Sequence, residues 1–241
     1  MTIDYGQSLK FAFEDENWLK KLGKAALWAF ISMLLLIFPV YFFSMGYGLE
    51  TARNVLNGKE NPLPELEDVG ATFKDGAKFF VVCLIYGSPI IILYCVLFGI
   101  IIAAGASDGL DEEALEAAMG GGVLVVQCLM YVFGLALALL LPAIMTLYLR
   151  TNDIRESLNV SEVFSITRDN LVTCFLILLM TVAASFIFQI VFLFSFITIC
   201  GWIFVYFAGI PWITAVQGHL IGQFVGQLDS PDNKLDPVAF E

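Results

Sequence analysis

An all-α, polytopic bundle of about five transmembrane helices is the fold class this sequence predicts, and three observations predict it. Hydrophobic residues make up 59% of the 241, with a mean hydropathy of +0.83, well beyond the roughly 45–50% apolar usage of soluble domains. Uncharged apolar runs cover Ala25–Leu49, Phe79–Ser107, Ala117–Leu149 and Leu171–Leu228, and a helix crossing the hydrocarbon core needs about 20 such residues. The runs are continuous blocks, where a membrane barrel would show alternating stretches of roughly ten residues. The last run, interrupted only by His219, is long enough for two helices. Spans are therefore expected near 25–49, 79–105, 120–149, 171–196 and 202–226, in a bundle domain of residues 25–228.

Residues 1–24 precede the first span as an interfacial amphipathic segment. In "SLKFAFEDENWLKKLGK", Phe11, Trp18 and Leu22 fall on one helical face with charges opposite them. Such a helix lies in the headgroup plane, anchored by its tryptophan. Its many charges, with no small-residue cleavage site behind the first run, argue against a cleaved signal peptide.

The first span raises a conflict. Lys10, Lys20, Lys21 and Lys24 precede it and Arg53, Lys59, Lys74 and Lys78 follow it. One crossing cannot leave both flanks on the cytoplasmic side, where Lys and Arg collect. Either the N-terminus lies outside despite its lysines, or the segment is a re-entrant or broken hairpin bent at Pro39. At 1.5 Å per residue the run reaches about 37 Å, enough for one crossing and too short for two. A single span with the N-terminus outside is therefore expected. Arg150, Arg155 and Arg168 place the loop after the third span in the cytoplasm, and Lys234 places the tail there. The connection between the second and third spans and the turn near 198–201 carry no Lys or Arg and should face outward.

"GYGLETARNVLNGKENPLPELEDVGATFKDG", Gly46 to Gly76, is the most polar long stretch. Tyr47 and Arg53 suit a helix leaving the bilayer, where amphipathic side chains reach the headgroups. Gly58 stops that helix, and Pro62 and Pro64 force an extended segment. Its expected role is to hold the chain at the membrane surface; as a partner or ligand site it would offer Tyr47, Arg53, Asn54 and Glu65. Placing Phe73 on Phe164 aligns "FKDGAKFFVVCLIYG" with "FSITRDNLVTCFLIL" and Cys83 with Cys174. Pro39, Pro142 and Pro211 take similar places in three spans. The pattern predicts repeated helix pairs, each entered through a short interfacial helix.

Further along, "SDGLDEEALEAAMGGG" offers Asp111 as an N-cap for a short solvated helix with acids in its first turn; calcium-loop spacing is absent. In "GHLIGQFVG", Gly218, Gly222 and Gly226 form one helical stripe that lets another backbone approach, within the bundle or in a dimer. Residues 229–241 are an acidic tail expected to be disordered.

These features resemble a known family. "FAFEDENWLKKL", a span, "GYGLETARNVLNGKENPLPELED" and "FKDGAKF" are similar to an uncharacterised family of archaeal and bacterial membrane proteins, domain of unknown function 4013. Gly46, Tyr47, Arg53, Asn54, Gly58, Leu63, Pro64, Glu65, Asp75 and Gly76 are the matching positions. The specific likeness covers the first third of the chain, and it implies no activity, substrate or catalytic residue.

Function classes narrow accordingly. The net charge of -11 speaks against a nucleic-acid partner. With the single histidine at position 219, zinc-protease chemistry is excluded, and the five cysteines never form C-x-x-C and read as packing residues. No catalytic, cofactor or metal residue is nominated. The spans hold no Asp, Glu, Lys or Arg, which weakens proton-coupled transport. A non-enzymatic scaffold or accessory protein of the cell membrane is expected, engaging lipid or a membrane-protein partner, or a second copy. The alternative is a small transporter or channel for an uncharged or lipid-like solute, with Gln127, Gln189, Gln217 and His219 as its cavity polar groups.

Overall fold

The computed structural model describes residues 3–35, 37–105, 112–197 and 201–230. Six long helices are α2 (Trp18–Leu35), α3 (Ile37–Leu56), α4 (Val69–Gly105), α5 (Glu112–Thr151), α8 (Leu171–Ser195) and α9 (Gly201–Leu228). Three short ones accompany them: α1 (Gln7–Glu14), α6 (Ile154–Ser157) and α7 (Val160–Asp169). No strand occurs among the described residues. Four helices are long and apolar enough to cross a membrane, over Val69–Val96, Gly120–Thr151, Leu171–Ser195 and Gly201–Leu228. The chain is a membrane protein with the all-α polytopic fold its hydropathy predicts.

The first expected span departs from this pattern. Residues 25–49 are divided between α2 and α3, and these run antiparallel. Moving down α9, Phe207 meets Phe30 of α2, then Trp212 meets Phe13 and His219 meets Phe11 of α1. On α3 the order is reversed, with Gly48 against Thr214 and Gly218 and Ala52 against Gly222. Lys21, in the first turn of α2, reaches the carbonyl of Leu63 beyond the end of α3 at 3.3 Å. The broken hairpin is therefore the correct alternative, and the single span is not. The run is too short for two crossings, but a hairpin needs none, and both arms extend beyond the apolar run: Lys20, Lys21 and Lys24 are helical in α2, as Glu50 and Arg53 are in α3. Pro39 falls in the first turn of α3, where its missing N–H costs no hydrogen bond.

Three helix pairs result, α2/α3, α4/α5 and α8/α9, as the repeat reading anticipated. The residues linking the two members of each pair (36, 106–111 and 198–200) lie outside the described set, as do Asp111 and the tail from 231 onward. The acidic helix expected near 111–116 is the start of α5. The two aligned copies differ in one respect: residues 69–105 form a continuous helix, whereas Asn170 separates α7 from α8.

Helices α3 and α9 form the centre. Phe43, Tyr47, Leu49 and Ala52 of α3 and Val216, Leu220, Ile221 and Phe224 of α9 are buried. Small residues permit the close crossing. A methyl group on Gly218 would lie 2.1 Å from the Gly48 carbonyl oxygen, and one on Gly222 would lie 2.7 Å from that of Ala52. Two members of the stripe thus pack inside the bundle, and half-buried Gly226 lies on the same helix.

The N-terminal segment also differs from expectation. Asp15–Asn17 separate α1 from α2, and Phe11 and Leu22 are buried against protein, not turned to headgroups. Trp18 is half-buried, edge-on to Phe13 at 5.2 Å. The apolar face of this segment covers the lower half of α9, because α9 offers an equally apolar surface there. Asp15, 2% exposed, pairs with Lys21 at 2.8 Å. Such a buried pair fixes a geometry more than it adds stability.

Candidate functional site

The polar stretch folds into a cradle between α3, the 57–68 loop and the start of α4. Helix α3 ends in a left-handed glycine cap. Gly58 has φ +68°, and the Lys59 N–H donates to the Asn54 carbonyl at 3.0 Å, a turn for which glycine carries no steric penalty. The loop then folds back beneath α3. Asn54 donates from Nδ2 to the Pro62 carbonyl at 2.9 Å, and Leu63 is buried. Leu66, also buried, is held at φ 55°, a left-handed backbone that costs a non-glycine residue about 1–2 kcal/mol.

Helix α4 then crosses α3 at close range. A Cβ on Gly46 would lie 1.9 Å from the Thr72 carbonyl oxygen, and one on Gly76 would lie 1.7 Å from that of Phe42. Two glycines thirty positions apart in sequence set the same helix crossing. Beside it, Arg53 forms an ion pair through Nη1 with Asp75 and donates from Nη2 to Asn152 Oδ1 at 3.2 Å. One guanidinium thus ties α3 to α4 and to the end of α5. Its planar fork suits this double engagement, which a lysine could not reproduce. Tyr148 reaches the same junction, its hydroxyl donating to the Asp75 carbonyl at 3.4 Å.

These contacts enclose a cleft of about 310 Å³. Glu50, Glu65, Glu67, Asp68 and Asp75 line it, with Arg53 and Lys59 as its cations. Thr72 Oγ1 donates to Glu50 Oε2 at 2.7 Å. Burial raises the Glu50 carboxyl above the usual glutamate range; the Thr72 hydrogen bond and the nearby Lys59 and Arg53 charges oppose that rise.

Of the four residues nominated in this stretch, Arg53, Asn54 and Glu65 line the cleft. Tyr47 does not. It is fully buried one turn from Phe43, its hydroxyl without a partner among the described residues. The reason is that α3 is enclosed by α2, α4 and α9 and presents no face to headgroups at that level. Arg53 and Asn54 hold the cleft's walls, and Glu65 is exposed, 3.6 Å from Lys21. Glu50, Lys59, Glu67, Asp68 and Thr72 were not nominated; the glycines at 46 and 76 were the signal that this stretch meets itself.

The four expected cavity residues do not converge. Gln127 and Gln189 are exposed on α5 and α8, while Gln217 faces a separate hollow between helices. His219 is engaged elsewhere. Ser8 Oγ lies 2.9 Å from its Nδ1, Gln223 Nε2 lies 3.2 Å from the same atom, and Phe11 stacks on the ring at 4.2 Å. Gln223 Oε1 accepts from the Asp4 N–H at 2.7 Å, which orients the amide so that its NH₂ points at the imidazole. Nδ1 thus sits between Ser8 and Gln223, and the cluster clasps the N-terminal segment to α9.

The family model described as protein of unknown function (DUF4013) matches residues 30–197, most of the chain. The chain belongs to the DUF4013 family. The match contains the entire cradle and runs through α8, further than the first third that carried the specific likeness, and it leaves out the aromatic–acidic–Trp start. The matching positions of this DUF4013 protein thereby acquire structural roles: Gly46 and Gly76 in the helix crossing, Arg53 and Asp75 in the ion pair, Asn54, Gly58 and Leu63 in the loop. Neither a curated protein nor a solved structure matches the chain.

Proposed function

We propose that this DUF4013 protein is a multi-pass scaffold or accessory protein of the cell membrane, without enzymatic activity, whose cytoplasmic cleft takes a basic segment of a partner protein. The observation that carries this reading is the cleft itself: with Asp75 paired to Arg53 and Glu65 near Lys21, three further carboxylates, Glu50, Glu67 and Asp68, stand against Lys59. Such a field attracts Lys- and Arg-rich chains and repels anionic headgroups. The topology supports the same side for every basic segment. With α2/α3 as a hairpin, the N-terminal segment, the 57–68 loop and the 152–170 connection meet at one end. That end carries Lys10, Lys20, Lys21, Lys24, Arg53, Lys59, Lys74, Lys78, Arg150, Arg155 and Arg168, which the positive-inside rule assigns to the cytoplasm. The apolar parts of the α2 and α3 arms reach about 16 and 20 Å, short of a core of about 30 Å, so this pair re-enters while the other two cross.

Titrating an oligolysine peptide onto the protein in phosphatidylcholine nanodiscs tests the reading. Binding should weaken about tenfold in Glu67→Lys/Asp68→Lys, a loss of ~1.4 kcal/mol, and should fall with added salt. Equal binding by wild type and variant would overturn it. A second reading, a small transporter for an uncharged or lipid-like solute, is favoured by the hollow that Gln217 faces. Liposome uptake of uncharged solutes above protein-free controls would put it first.

A further inference from the structure

Helix α5 does not close on the α3–α9 crossing. Between them lies a hollow of about 210 Å³ whose walls include Met45, Phe79, Leu141, Met145, Ile213 and Gln217. The Ser44 and Thr214 hydroxyls there are spent on their own helices, since Ser44 donates to the Val40 carbonyl at 2.7 Å and Thr214 to that of Pro211 at 2.9 Å. This leaves the half-buried Gln217 amide as the polar group a guest meets at the polar end. At the other end Tyr41, 55% exposed, forms a mouth continuous with the bilayer-facing surface.

We infer that this hollow is a site for one acyl chain of a bilayer lipid, inserted past Tyr41 with a carbonyl or hydroxyl near its head held by Gln217. Four observations select that occupant. The walls are almost wholly apolar, so a charged or strongly hydrated solute would lose its hydration without compensation. The hollow is smaller than the roughly 300 Å³ of a drug-sized pocket, which leaves room for part of one slender chain and not for a whole lipid. Its opening faces the space that lipid tails fill. Its polar group sits toward the end where the charged segments gather, so the guest lies head down and tail up, like its neighbours in that leaflet. This site is separate from the acidic cleft and stands whether or not the cleft binds a basic partner.

The test uses the full chain in liposomes of phosphatidylcholine bearing a diazirine in its acyl chain, with photo-adducts mapped by mass spectrometry. Met145, only 4% exposed, should be labelled as strongly as bilayer-facing Leu135. Ile213→Trp, which fills the hollow, should abolish labelling at Met145 and leave Leu135 unchanged. Should that variant not fold, the wild-type comparison decides alone. Labelling at Met145 no stronger than at fully buried Leu220 would overturn the inference.

Discussion

At Gly76 a single hydrogen atom occupies the place where a methyl group would meet the Phe42 carbonyl oxygen at 1.7 Å. Backbone oxygen cannot step aside as a side chain can, so Gly76→Ala must push α4 away from α3. We expect a loss of about 3 kcal/mol, at the upper end of overpacking costs, read as a lower midpoint in thermal size-exclusion analysis. Gly134→Ala is the control. Nothing lies within 4 Å of a Cβ at Gly134, and that change should be neutral or stabilising by up to about 1 kcal/mol. Glu50 supplies a pH prediction. Burial, the larger cause, raises its folded carboxyl above the unfolded value. Stability from the protonated form is then fully present below the unfolded value and lost as pH rises through the folded one. Glu50→Gln should therefore raise thermal stability at neutral pH and give no gain in acid, and equal effects at both pH values would contradict this assignment.

At the scale of elements, the hydropathy pattern made α4, α5, α8 and α9 legible, because a crossing helix must bring its own long apolar run. The same criterion concealed α2 and α3. "SMLLLIFPV", which joins the two arms, carries no charged residue to mark a break between them. The only hint was electrostatic, in lysines on one flank and basic residues on the other. The cleft was half visible. Arg53, Asn54 and Glu65 stood out as polar groups in an apolar chain, but Tyr47 was misread because its burial depends on α2, α4 and α9 arriving together. Spin labels at Leu19 and Leu56, both exposed, test the hairpin directly. One continuous helix over those 37 positions would separate them by ~55 Å, whereas the hairpin brings them to the same end and a far shorter distance. The Arg53–Asp75 pair can be weighed by a double-mutant cycle with Arg53→Gln and Asp75→Asn. Both partners are partly exposed, so a coupling of about 1 kcal/mol is expected.

For the whole molecule, asymmetry is the consequence that matters. Three helix pairs return the chain to one end three times, so Lys, Arg and the acidic cleft gather there, and α4 and α5 stand as long apolar helices above it. Function is then read from a single face, and everything proposed for the cleft depends on that face being cytoplasmic and on the N-terminus sharing it. The direct measurement is labelling by a membrane-impermeant maleimide in intact cells, on a variant lacking native cysteines, with single cysteines at Lys10, Asn61 and Ile197. Labelling at 197 alone, with 10 and 61 reached only after permeabilisation, is the predicted result. Labelling at 10 with protection at 61 would contradict it, placing the N-terminus outside and restoring a single crossing in the first segment.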